Sequence, residues 1–109
     1  MNDAVEQIAA LDGKVVSIVG ALSLDFEGRC INHIPMSETI YGEFGESQSS
    51  IWADFDLEAI GHDVRWLRQF DKRYVRVLGV LAAPEPRFGG CGHLSMWPAE
   101  ILIKAIEKK

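Results

Sequence analysis

Two runs of apolar, β-branched residues, each holding one glycine, dominate the pattern of this chain: Lys14 to Leu24, "KVVSIVGALSL", and Arg73 to Ala82, "RYVRVLGVLA". Both read as long strands. An interior glycine weakens a strand unless a bulge or a sharp coil requires it. Aligned from Leu11 and from Phe70, the two runs share an apolar residue and Asp ahead of the strand, and glycine near its end, at Gly20 and Gly79. The segments around them differ, so the likeness is not a tandem repeat. It suggests two strands meeting one geometric demand, a bent course around a small barrel.

The rest of the pattern supplies the other elements. Val5, Ile8 and Ala9 recur at helical spacing and predict a short helix over 2–10, ended at Asp12-Gly13. "RCINHI", from Arg29 to Ile34, predicts a second strand stopped by Pro35, and Ile40-Tyr41 a short strand piece. "SIWADF", from Ser50 to Phe55, alternates, with Ile51, Ala53 and Phe55 on one side and Trp52 and Asp54 on the other. Asp56 is placed to cap the segment in which Leu57, Ile60, Val64 and Leu67 recur; Gly61 interrupts it, leaving the firmer helix at Asp63 to Phe70. The last segment, "AEILIKAIEKK", predicts a closing strand with Ile101, Ile103 and Ala105 on one face. A chain of 109 residues supports one core, so residues 1–109 form a single domain.

The order strand, strand, strand, helix, strand, strand resembles the OB-fold, a five-stranded Greek-key barrel, here with a short N-terminal helix and a helix between strands 3 and 4. The chain also resembles small, uncharacterised bacterial OB-fold-like proteins. The residues that carry this likeness are Gly13-Lys14 with Gly20, Phe26-Glu27-Gly28, Ile51-Trp52, Tyr74-Val75 with Gly79, and Gly92-His93. Met96-Trp97-Pro98 departs from that pattern. The resemblance implies a binding domain, because OB-folds take oligonucleotides, oligosaccharides or proteins on the face of strands 2 and 3 and the loops beside it. Fold alone does not choose among these ligands.

Charge narrows the choice. The formal net charge is −5, and no Lys or Arg occurs between Arg29 and Arg65, where seven acidic residues fall. Arg65, Arg68, Lys72, Arg73 and Arg76 follow almost at once. An acidic region and a basic one are therefore expected on the surface. Phosphate neutralisation drives nucleic-acid affinity, and Glu27, Glu43, Glu46 and Asp54 near the expected binding face oppose it. A protein partner of basic or mixed charge fits better, contacted by Glu27, His33, Tyr41, Glu43, Glu46, Trp52 and Asp54, with Arg87 and Phe88 on a neighbouring rim. One form of such a module is an immunity-type inhibitor that caps a basic toxin. Binding of single-stranded nucleic acid or an oligosaccharide is the alternative, with His33, Tyr41 and Trp52 as the stacking rings.

Candidate chemistry is thin. Cys30 with His33 and Cys91 with His93 supply ligand types suited to zinc, but residues 30 and 33 of a strand project to opposite faces. Cys91 and His93 lack an identifiable third group for nucleophilic catalysis. Asp56 is better used as a helix cap than as half of an acid and base pair. The sequence thus predicts no catalytic residue, no metal and no cofactor. "GGCGHLSMWP" reads as a turn that lays Trp97 over one end of the barrel. Two cysteines and an acidic start without an apolar run predict a reduced, cytoplasmic protein without a membrane span.

Overall fold

The computed structural model describes residues 1–24, 29–41, 49–84 and 97–109. Five strands close into a barrel in the order β1-β2-β3-β5-β4. They are β1 (Val15–Ser23), β2 (Cys30–Asn32), β3 (Ser50–Phe55), β4 (Tyr74–Ala82) and β5 (Glu100–Lys108). Every neighbouring pair is antiparallel except β3 with β5, and β1 pairs with β4 to shut the ring. This is the OB-fold-like barrel that the strand order implies. Helices α1 (Asn2–Glu6) and α2 (Ile8–Leu11) precede it, and α3 (Leu57–Ile60) and α4 (Val64–Leu67) lie between β3 and β4. No helix among the described residues is long and apolar enough to cross a membrane.

Period-two alternation sends Ile18, Leu22, Val75, Val77 and Leu81 into the interior, where they meet Ile31, Ile51, Ala53, Ile101 and Ile103. Leu67 and Phe70 enter the same core from the helical side. Burial of these side chains stabilises the barrel by roughly 1.5–3 kcal/mol for each large one. The expectation for the last strand needs one correction. Leu78 pairs with Ala105 and Gly79 with Ile103, so Lys104 is the extra residue of a β-bulge. The bulge inverts the alternation beyond it: Ala105 is exposed, and Ile106 packs against the core in its place.

The likeness between β1 and β4 has a structural counterpart. Val16 pairs with Gly79 and Gly20 with Val75, on either side of the pair Ile18 and Val77, so the strands are related by a local two-fold. Their entry turns match bond for bond. Lys14 N–H donates to Leu11 C=O at 2.9 Å, as Arg73 N–H does to Phe70 C=O at 3.1 Å. The Asp12 carboxylate accepts from Ala83 N–H at 2.9 Å, and the Asp71 carboxylate accepts from Leu24 N–H at 2.9 Å. The third residue of each turn is left-handed, Gly13 at φ 77° and Lys72 at φ 61°, as a type II turn requires. Gly20 and Gly79 serve close approach. A Cβ on Gly20 would overlap Ile31 and stand 2.6 Å from Asn32 O, and one on Gly79 would overlap the backbone of Leu102.

The helical crossover starts at its predicted cap. Asp56 accepts from Ala59 N–H at 3.1 Å to start α3, and Gly61, at φ 81°, ends it. Asp63 accepts from Trp66 N–H at 2.9 Å to start α4, which runs on into a 3-10 turn over Arg68–Phe70. The expected helix from Asp63 to Phe70 is thus one α turn and one 3-10 turn. Of the expected strand piece at Ile40-Tyr41, only Tyr41 makes a bridge.

Candidate binding groove

Where β3 hands over to the helices, the barrel leaves a groove of about 560 Å³. Among the described residues its walls come from four places. Leu24 follows β1, Arg29 precedes β2, Asp54 and Phe55 end β3, and Leu57, Val64, Leu67 and Arg68 come from the helical crossover. Only Leu67 among these is fully buried, while Val64 is 57% exposed, so the floor is anchored in the core and the helical rim is open. Beside the groove, Trp66 meets Phe70 edge-on at 5.0 Å, and His62 stacks on Trp66 at 4.0 Å.

The charges of the groove are arranged unevenly. Arg29 pairs with Asp54 at 2.7 Å, which cancels both. Arg68, exposed on the opposite lip, makes no side-chain hydrogen bond or ion pair among the described residues. Among the described lining residues, Arg68 is therefore the one charge without a partner, on a chain that is negative overall. Beneath the helical wall, Lys104 Nζ reaches Asp56 Oδ2 at 2.6 Å. That hydrogen bond, helped by the Ala59 N–H, holds the Asp56 carboxyl below the ordinary carboxylate value despite an opposing contribution from burial. Lys104 is also the extra residue of the β5 bulge.

The residues expected to form the contact surface are dispersed. Asp54 lines the groove, committed to Arg29. His33 is a tether: its Nδ1 accepts from Asn2 N–H at 3.2 Å, which leaves the proton on Nε2 to donate to Glu38 Oε1 at 2.7 Å. Tyr41 is 66% exposed but does not line the groove. Trp52 requires a correction, for the residue is only 8% exposed and is not a surface contact. Trp97 meets it edge-on at 4.8 Å, and the Arg29 guanidinium lies 5.1 Å from its centroid. Trp97 thus packs on an outward residue of β3 and not over an end of the barrel, while residues 89–96 of the expected turn lie outside the described residues. Glu27, Glu43, Glu46, Arg87 and Phe88, with Cys91 and His93, lie outside the described residues. Cys30 is buried, its Sγ 3.8 Å from Asn32 Oδ1.

Sequence reasoning did not single out Arg29, Val64 and Arg68 as partners in one site. The signal for Val64 and Arg68 was present, because residues four apart share a helix face. Their meeting with Arg29 depends on the return of β2 beside β3, which spacing alone does not show. Comparison of the chain with family models, curated proteins and solved structures finds no match.

Proposed function

We propose that this chain is a non-catalytic binding module whose partner is a protein surface of mixed charge, engaged at the groove between β3 and α4. The observation that carries the reading is the mixture of apolar and charged side chains in one groove, in which Leu57, Val64 and Leu67 lie beside a neutralised Arg29 and Asp54 pair and an Arg68 with no partner among the described residues. Partly exposed apolar side chains ringed by charge are the material of a protein contact. Stacking of nucleic-acid bases is disfavoured, because Trp52 is already covered by Trp97 and Arg29. Small size and a net charge of −5 also suit an inhibitor that caps a basic protein, such as an immunity-type inhibitor of a toxin.

The test compares the wild-type chain with Val64→Arg as baits in extract of the source cells, alongside titration of both with single-stranded RNA and DNA at low salt. A protein retained by the wild type and lost from the variant supports the module. Tight, steeply salt-dependent binding to the oligonucleotides contradicts it.

A further inference from the structure

We infer that the groove receives a peptide segment in which a bulky apolar side chain stands next to a carboxylate. This rests on the binding-module reading and names what the partner presents. The volume of about 560 Å³ falls within the range of roughly 300–1,000 Å³ typical of ligand pockets. Val64 offers an open apolar surface beside the buried end of Leu67, where a partner's apolar side chain is drawn out of water. Arg68 stands four residues after Val64, across the junction of α4 and the 3-10 turn, and so flanks the same opening.

Its guanidinium is the recognition element. Arg presents a planar fork of donors that matches both oxygens of a carboxylate, and this one has no partner among the described residues. Asp54 satisfies Arg29, so the described lining residues do not present a carboxylate free of a cation. A lysine or arginine brought into it would face two guanidinium groups and one engaged acid. A carboxylate would complete the pairing instead. Nucleic acid has the charge for Arg68 but needs stacking surfaces, and Phe55 is the one aromatic among the described lining residues.

The experiment titrates the methyl-labelled protein with three blocked peptides that differ at one position, acetyl-Gly-Phe-Glu-Gly-amide and its Gln and Lys counterparts, to several millimolar. The Glu peptide is expected to move the methyl signals of Leu57, Val64 and Leu67 and to bind about tenfold more tightly than the Gln peptide, as a charge-assisted hydrogen bond warrants. Arg68→Gln should remove that advantage while leaving binding of the Gln peptide unchanged; the residue is exposed, so the barrel spectrum serves as the folding control. Equal binding of the Lys or Gln peptide, shifts centred elsewhere, or no shift at the highest concentration overturns the inference. Should the peptides show no acidic preference while Val64→Arg still loses its protein partner, the acidic segment is wrong and the module stands. Should the Glu peptide seat in the groove while Val64→Arg keeps the partner, the module's site is wrong and the pocket chemistry stands.

Discussion

The outer side of β3 at Trp52 and the groove at its far end are built from the same strand, yet one is closed and the other open. Trp52 is sealed by Trp97 edge-on and by the Arg29 guanidinium, and what it offers is stability. Two residues on, Asp54 holds the same Arg29 and begins a surface whose apolar members, Leu67 apart, stay partly in water. Arg29 is the hinge of the comparison. One cation covers an aromatic ring and neutralises a carboxylate, so that Trp52 is closed off on the outer side of β3 and, among the described lining residues, the nearby groove is left with the charge of Arg68.

The difference can be broken most strongly at Trp52. Trp52→Ala should cost about 3–5 kcal/mol in urea unfolding, the usual cost of truncating a buried Trp. A cost below about 1 kcal/mol would mean that the ring faces solvent and that the closed side is open after all. Within the groove, Leu67→Ala should cost about 2–5 kcal/mol because the side chain is fully buried. Val64→Arg, at a position 57% exposed, should change stability by less than about 0.5 kcal/mol while abolishing partner binding. If the two substitutions destabilise equally, the floor and the rim are not distinct.

Smaller effects sharpen the electrostatic half of the contrast. The Arg29 and Asp54 side chains are both nearly half exposed, so Asp54→Asn should cost only about 0.2–1 kcal/mol. It also frees Arg29, and the acidic peptide should then bind several-fold more tightly; weaker binding would show that Asp54 itself contacts the ligand. The smallest effect concerns pH. Asp56 has its carboxyl held below the ordinary value of 3.8 by Lys104, so its contribution is present above that value and is lost as the pH falls through the lowered one. Amide signals of Leu57 and Ala59 should therefore broaden or shift on acidification below about pH 4 before those of β3 do. Asp56→Asn should remove this lead, and simultaneous loss in both regions would leave the Lys104 and Asp56 pair without a role.

Much of the barrel could be read from the chain because its signals are local. Ser50–Phe55 alternates within itself, Asp56 and Asp63 cap the turns that follow them, and the glycines in both long strands mark where a neighbouring backbone comes close. The failures are non-local. Alternation says that Trp52 points away from Ile51, but not that Trp97 will arrive to cover it. The bulge at Lys104 adds no residue type that announces it, yet it moves the inward set from Ala105 to Ile106. Lys72 occupies a left-handed position that its side chain does not advertise, and only its correspondence with Gly13 would have exposed the turn. The groove was missed for the same reason, since Arg29 and Arg68 are far apart in sequence and meet only through the closed topology.

The contrast between a sealed Trp52 and an open groove is tested most directly by solvent accessibility, using a soluble paramagnetic probe and the side-chain signals of the free protein. Strong relaxation of the Val64 methyls, with the Trp52 ring protons nearly unaffected, is the predicted result. Strong relaxation of Trp52 with protected Val64 methyls would contradict it.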